Sequence, residues 1–129
     1  MKNFKDKVAA ITGAGSGIGR QLAVLLARDG CHLALSDVNE AGLNETAGQL
    51  RSSGVRITTT VLDVSSREAV AQWASQTVRE HGKVNLIFNN AGVALGSTVE
   101  GMRYEDFEWL MNINFWGVVY GTKAFLPHL

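Results

Sequence analysis

The stretch from Thr12 to Arg20 reads TGAGSGIGR and holds four glycines within seven residues. Glycine weakens both strands and helices, so a cluster this dense between an apolar run and a helical pattern requires a reason. A helix N-terminus presents free N–H groups and the positive end of the helix dipole, which suit a phosphate. The turn therefore predicts a phosphate cradle: Gly13 for a tight turn, Gly17 for close approach of the ligand, and Gly19 for packing of helix against strand. A glycine-rich turn without a ligand is the alternative.

A carboxylate supplies the second chemical signal. Asp37 closes the next apolar run, 24 residues after Gly13. At that place a carboxylate can accept hydrogen bonds from the ribose of an adenosine, and it would repel a 2′-phosphate. Asp37 could instead be a solvated residue at a strand end or a helix cap. The two signals together favour a dinucleotide site.

Apolar periodicity identifies the elements that must position these residues. Short apolar runs predict four strands, and 3.6-residue spacing between them predicts four helices. The strands are predicted over residues 7–12, 32–37, 56–64 and 84–92. The helices are predicted over residues 16–29, 39–51, 65–80 and 104–126, the second capped by Asn39 and the third by a capping box of Ser65 with Glu68. The order βαβαβαβα indicates an α/β fold: a Rossmann-type parallel sheet with helices on both faces, in three αβα layers.

Composition excludes several classes of protein. The 129 residues carry 12 basic and 12 acidic side chains, so the basic footprint of a nucleic-acid-binding protein is missing. No apolar run has the length of a signal peptide core or of a membrane span, so the expected compartment is the cytoplasm and no membrane partner is expected. Cys31 is the single cysteine, and a buried free thiol is expected there. No metal-ligand pattern is recognised.

Five motifs in order resemble the short-chain dehydrogenase/reductase family. They are TGAGSGIG at 12–19, Asp37, LDV at 62–64, NNAG at 89–92 and NINFWG at 112–117. The resemblance covers essentially the whole chain. It implies an oxidoreductase that transfers a hydride between a nicotinamide dinucleotide and an alcohol or carbonyl substrate. A non-catalytic dinucleotide-binding module is the alternative.

The resemblance also implies roles for single residues. Ser16, Ile18 and Gly13, Gly17 and Gly19 would line the pyrophosphate, Asp37 would hold the adenosine ribose, Asp63 and Val64 would lie by the adenine, and Asn90, Ala91 and Gly92 would lie near the nicotinamide ribose. Thr12 is expected to tie the glycine turn to NNAG, and Asn114 to hold a water in a proton relay from a catalytic lysine. The plainer alternatives are a strand residue at Thr12, a helix cap at Asp63 and a tolerated polar residue at Asn114.

The family's catalytic serine and Tyr-x-x-x-Lys pair have no match in these residues. Glu108 lies four residues after Tyr104 and Ala124 four after Tyr120, while Lys123 follows Tyr120 by only three. The chain is therefore expected to be a single NAD(P)-binding domain over 1–129. It would be the N-terminal portion of a longer enzyme, truncated after the fourth βα unit, and inactive alone.

Partners follow from the same residues. NAD is expected rather than NADP, because Asp37 carries negative charge and residues 14–16 contain no Lys or Arg; Arg20, the basic residue nearby, is expected to point away. The substrate is expected to be a small alcohol or ketone. Trp109 and Trp116, seven residues apart, are interpreted as core or subunit-interface packing, and the apolar helix or the edge of the fourth strand is expected to form a homo-oligomer.

Overall fold

A computed structural model describes residues 3–129 and contains a parallel sheet flanked by helices. Its strands are β1 Val8–Ile11, β2 His32–Asp37, β3 Ile57–Val61 and β4 Leu86–Phe88. Its helices are α1 Gly17–Arg28, α2 Glu40–Gln49, α3 Arg67–His81, α4 Tyr104–Met111 and α5 Gly117–Phe125, with a π-helical segment Asn112–Trp116 and 3₁₀ turns Arg51–Ser53 and Leu126–His128. The predicted α/β fold is confirmed, and β2 has the predicted bounds. The other three strands are shorter than predicted at both ends, and the bounds of the first three helices differ from the prediction by one or two residues.

The strand order creates a crevice beside β1. The sheet runs β3-β2-β1-β4 with all pairs parallel, and Ala10 lies opposite both Ala34 of β2 and Ile87 of β4. The chain moves outward from β1 to β3 and then returns to the other side of β1 at β4. In open parallel sheets, such a reversal leaves a crevice at the carboxyl ends of the strands, where ligands bind.

Both faces of the sheet are covered, as the apolar runs predict for buried parallel strands. Side chains alternate along β1, so Ala9 and Ile11 face one layer and Val8 and Ala10 the other. The first layer is formed by α1 and α2 and the second by α3 and α5. In the second layer Trp73 meets Phe125 edge to face, with ring centroids 5.0 Å apart. This packing fixes the sheet between the two helix layers.

The predicted cap of α3 is wrong by one residue. Ser66, not Ser65, caps the helix, and its Oγ accepts from the Ala69 N–H at 3.3 Å. Ser65 instead donates its hydroxyl to Oδ1 of Asp63 at 2.7 Å. The carboxylate two residues earlier is a stronger acceptor for Ser65, and the next serine then takes the helix end.

The predicted single helix over 104–126 is interrupted. Within Asn112–Trp116 the hydrogen bonds skip five residues, as in the bond from the Gly117 N–H to the Asn112 carbonyl. A Cβ added at Gly117 would lie 2.8 Å from Cγ2 of Val64, and one added at Gly121 would collide with Oδ1 of Asn89. The two glycines let α5 approach the carboxyl ends of the strands, so the π segment lies directly beside the crevice.

The opposite side of α4, the π segment and α5 is apolar and exposed. The large side chains there are Phe107, Met111, Phe115, Trp116 and Val118, each more than a third accessible. Patches of this kind are typical of interfaces. None of the helices within residues 3–129 combines the length and apolarity that crossing a bilayer requires.

Candidate functional site

The glycine turn connects β1 to α1 at the carboxyl edge of the sheet. Gly13 and Gly17 have φ of 66° and 52°, in the left-handed region that favours glycine. A Cβ added at Gly17 would meet no atom within 4 Å, so this backbone faces open space. A Cβ at Gly19 would collide with the Gly13 carbonyl oxygen and lie 2.7 Å from Nδ2 of Asn90. Gly19 therefore packs against the turn itself and Asn90, rather than against a strand as predicted.

Thr12 joins the turn to the segment after β4. Its Oγ1 accepts from the N–H groups of Asn90 at 3.0 Å and Ala91 at 2.9 Å, and lies 3.3 Å from the Phe88 carbonyl, to which it donates. In return, Nδ2 of Asn90 donates to the carbonyls of Thr12 at 3.0 Å and Gly13 at 3.3 Å. The predicted tie between the turn and NNAG is present, and these five bonds hold two walls of the crevice together.

Asp37 lies at the end of β2 and is bound to the same turn. Its Oδ2 accepts from the Gly15 N–H at 2.8 Å and its Oδ1 from the Asn39 N–H at 2.9 Å. A Cβ at Gly15 would lie 2.8 Å from Oδ2, so the residue at 15 must be glycine for the carboxylate to be held there. Each oxygen keeps a lone pair, so the carboxylate can still accept hydrogen bonds from a ligand.

Arg20 points away from the crevice, as predicted, and clamps the turn onto α2. Its Nη2 donates to the Gly15 carbonyl at 2.6 Å and also pairs with Glu45 at 3.4 Å. Its Nε donates to Oγ1 of Thr46 at 2.9 Å, and that hydroxyl donates to the Ala14 carbonyl at 2.8 Å. The guanidinium is thus engaged by the protein, and its charge is directed at backbone oxygens and Glu45.

The crevice is a cavity of about 450 Å³, in the range of small-molecule sites. It is lined by the glycine turn and by the carboxyl ends of β2, β3 and β4. Ten of the residues named from the sequence line it: Gly13, Ser16, Gly17, Ile18, Asp37, Asp63, Val64, Asn90, Ala91 and Gly92. Gly19 and Asn114 stand behind this lining. No group of three or more His, Cys, Asp or Glu within residues 3–129 is arranged to hold a metal ion.

Six lining residues were not named as site residues from the sequence: Ser36, Val38, Leu62, Val93, Trp109 and Ile113. Four of them directly flank named positions on the strand ends, so adjacency alone could have identified them. Trp109 and Ile113 come from the distant helix. Trp109, together with Trp116 seven residues later, was interpreted as packing, and Ile113 was not singled out. Only the three-dimensional approach of α4 and the π segment brings them to the crevice.

Asn114 uses both polar atoms of its side chain on one backbone unit. Its Oδ1 accepts from the Val93 N–H and its Nδ2 donates to the Val93 carbonyl, each at 2.8 Å. This bidentate pair fixes the segment after β4 to the π segment. The arrangement makes Asn114 a positioning residue for the cavity wall, while its role toward a water stays a prediction.

A family model described as short chain dehydrogenase matches residues 7–129, nearly the entire chain. The chain belongs to the short-chain dehydrogenase/reductase family. SadH of Mycobacterium tuberculosis is 46% identical over 129 residues, which are 100% of this chain and 47% of SadH. The chain therefore spans about half the length of SadH.

Solved structures agree with the family assignment. A short chain dehydrogenase/reductase from Burkholderia phymatum in complex with NAD superposes with a TM-score of 0.96 at 40% identity, over 100% of this chain and 46% of that one. An alcohol dehydrogenase from the archaeon Thermococcus sibiricus, complexed with 5-hydroxy-NADP, superposes with a TM-score of 0.91 at 37% identity, over 95% of this chain and 53% of that one. The family thus includes structures with either form of the cofactor.

The two tyrosines of the chain, Tyr104 and Tyr120, lie outside the cavity lining. Tyr120 stacks on Trp116 with centroids 5.9 Å apart and packs against the second core layer. Tyr104 is largely exposed at the start of α4. Lys123 is also exposed. Tyr120 and Lys123 therefore serve as ordinary helix residues, as interpreted from their spacing.

Proposed function

We propose that this chain forms the cofactor-binding unit of an oxidoreductase that transfers a hydride between NAD and an alcohol or carbonyl substrate. One observation carries the proposal: the glycine turn, Asp37 and the Asn90–Gly92 segment line a single cavity at the reversal point of the sheet. Phosphate, ribose and nicotinamide ribose would be held by these three groups in turn. When bound, the cofactor would accept or donate the hydride in its oxidised or reduced form, and the residues that line the cavity would bind and orient it.

The glycine turn fits a pyrophosphate. The N-terminus of α1 has no side-chain cap and no acidic residue in its first turn, so its N–H groups stay available to an anion. Gly17 leaves open space where a Cβ would stand, which permits close approach to the backbone. Ser16 and Ile18 flank this opening. The donor groups and the available space therefore both suit the proposed ligand.

A preference for NAD over NADP rests on charge. A 2′-phosphate on the ribose would lie against Asp37, and the Arg20 guanidinium is already bound to the Gly15 carbonyl and Glu45. Like charges repel, and none of the residues that line the cavity is a lysine or arginine that could offset the repulsion. Similar proteins bind either NAD or a form of NADP, so similarity alone does not decide the preference. The preference therefore rests on Asp37 and Arg20.

Calorimetric titration with NAD and NADP tests the proposal. We expect NAD to bind at least about tenfold more tightly, and Asp37→Asn, which keeps an acceptor for the turn but loses the charge, to narrow that ratio. Asp29→Asn at the far end of α1 is the matched control and should leave the ratio unchanged. Equal or tighter binding of NADP to the unaltered protein would contradict the preference, and absence of binding by either would contradict the function.

The remaining proposals concern the protein as a whole. The substrate class is a small secondary alcohol or ketone, and the compartment is the cytoplasm. Residues 1–129 act as one dinucleotide-binding unit. Copies of the chain associate through the exposed apolar side of α4 and α5. The missing Tyr-x-x-x-Lys spacing favours a second candidate, a dinucleotide-binding module without catalysis. Both candidates predict no alcohol oxidation by residues 1–129 alone, so the gene sequence separates them: an in-frame continuation into a Tyr-x-x-x-Lys segment supports the oxidoreductase, and a gene without one supports the non-catalytic module.

A further inference from the structure

Trp109 lies in the cavity although its spacing suggested packing. Its side chain is 46% exposed and lines the same cavity as Asp37 and Asp63. It belongs to neither core layer, and it makes no aromatic pair with any residue in 3–129, whereas Phe115, Trp116 and Tyr120 pair with one another. A large indole that is half exposed, unpaired and directed at a cavity has a face available to a ligand.

The order of the strands fixes which part of the ligand meets this indole. The proposed pyrophosphate lies at the turn after β1, and the proposed ribose lies at Asp37 after β2. The base attached to that ribose must continue in the same direction, toward the end of β3. That end is formed by Leu62, Asp63 and Val64, all of which line the cavity.

The helix carrying Trp109 is held over this same strand end. Gly117 rests on Val64, at 2.8 Å from an added Cβ to Cγ2, and Asn114 is bonded to Val93. Trp109, Ile113 and Gly117 follow one another at four-residue spacing along that helix, and the first two line the cavity. These three residues therefore extend from Val64 toward solvent, and the indole of Trp109 forms the outer wall of the space beyond β3.

Asp63 leaves one oxygen for the edge of the same base. Its Oδ1 accepts two bonds from Ser65, at 2.9 and 2.7 Å, and its Oδ2 accepts none from residues 3–129. A free carboxylate oxygen suits an exocyclic amino group, and an indole face suits a flat aromatic ring.

We propose that Trp109 is a further cofactor-binding residue, whose indole stacks against the adenine base at the strand end where the family resemblance places Asp63. This inference rests on the proposed function. In this proposal the adenine base contacts Trp109 of α4 as well as the residues at the end of β3. Stacking on an aromatic side chain accepts any base, so selectivity for adenine would come from Asp63.

The test compares Trp109→Ala and Trp109→Phe with Trp116→Ala, measuring dissociation constants for NAD, AMP and nicotinamide mononucleotide by calorimetry. Trp116 is a matched control because it is 44% exposed but lies outside the cavity lining. Removing the indole should weaken NAD and AMP about tenfold or more, the range for loss of one base–aromatic stack. Trp109→Phe should retain most of the affinity, and nicotinamide mononucleotide should be unaffected throughout.

Tryptophan emission gives a second readout that needs no catalysis. AMP should quench the emission of the unaltered protein and of Trp116→Ala, and the quenching should vanish in Trp109→Ala. If NAD binds and Trp109→Ala binds NAD and AMP as tightly as the unaltered protein, the stacking proposal is overturned while the proposed function stands. If the unaltered protein binds neither NAD nor AMP, the proposed function fails and the stacking proposal fails with it.

Discussion

The hydroxyl of Thr12 offers the most direct test of how the site is assembled. Thr12 is 2% exposed, and its Oγ1 accepts from the N–H groups of Asn90 and Ala91. Valine has nearly the same shape but no acceptor. Thr12→Val therefore leaves the Ala91 N–H unpaired, while the Asn90 N–H keeps its bond to the Phe88 carbonyl at 2.9 Å. An unpaired buried donor costs about 1–3 kcal/mol. Ala91 is half-buried and water can reach it in part, so a cost of about 2 kcal/mol is expected.

Urea unfolding measures this cost. With a slope of about 1–3 kcal/mol per molar urea, the midpoint should fall by about 1–2 M. Thr12→Ser keeps the acceptor and loses one methyl group, so it should cost only about 1 kcal/mol. Thr59→Val, at an exposed position of β3, controls for the change from threonine to valine and should leave the midpoint nearly unchanged. A Thr12→Val protein as stable as Thr12→Ser would refute the bonding scheme between the turn and NNAG.

Three further predictions concern the turn and two buried groups. Gly19→Ala should unfold the protein or destabilise it severely, because the new methyl group collides with the Gly13 carbonyl. Gly17→Ala should cost only about 1 kcal/mol of stability but abolish NAD binding. Equal urea midpoints for the two variants would contradict this prediction. Burial lowers the pKa of His81 below its ordinary value of 6.5, so the unfolded chain binds the proton first and stability should fall as the pH drops from 6.5. Urea midpoints between pH 5.5 and 7.5 check the sign, and His81→Gln should lose that dependence. Burial raises the pKa of the Cys31 thiol to about 11, so a thiol reagent at pH 8 should label native protein far more slowly than unfolded protein; equal labelling rates would show that Cys31 is accessible.

The parts of the fold that the sequence predicts are those with local causes. Apolar runs identified all four strands, and helical spacing with caps such as Asn39 identified the first three helices. The dinucleotide-type turn was also predictable, since Gly13 and Gly17 both have a left-handed φ and Gly17 faces open space. The close contact of Gly13 with Asn90 and Ala91 was not predictable from the turn alone. Family membership followed from motifs in order, and it is confirmed.

The parts that the sequence did not predict depend on long-range approach. The π segment has the same apolar spacing as an α-helix, so its i→i+5 bonding has no signature in the pattern. Ser65 and Ser66 are neighbouring residues of the same type, so the sequence does not show that Ser65 bonds to Asp63 while Ser66 caps α3. Trp109 has the spacing of a packing residue, and long-range contacts such as Gly117 with Val64 and Asn114 with Val93 bring its helix to the cavity. Arg20 was expected to point away from the crevice, but its bonds to α2 were not predicted, because its partners there lie 22 to 26 residues later in the chain.

The two backbone bonds to Asp37 have a consequence for evolution and redesign. The carboxylate that faces the ligand is also the acceptor for the Gly15 and Asn39 N–H groups, so recognition and folding share the same two oxygens. A single step to an apolar residue, made to admit a more anionic ribose, would remove both acceptors at once and destabilise the turn. An accessible route passes first through asparagine or serine, which keep an acceptor without the charge, and only then adds a cation. Cofactor preference at this position is therefore expected to change in two ordered steps.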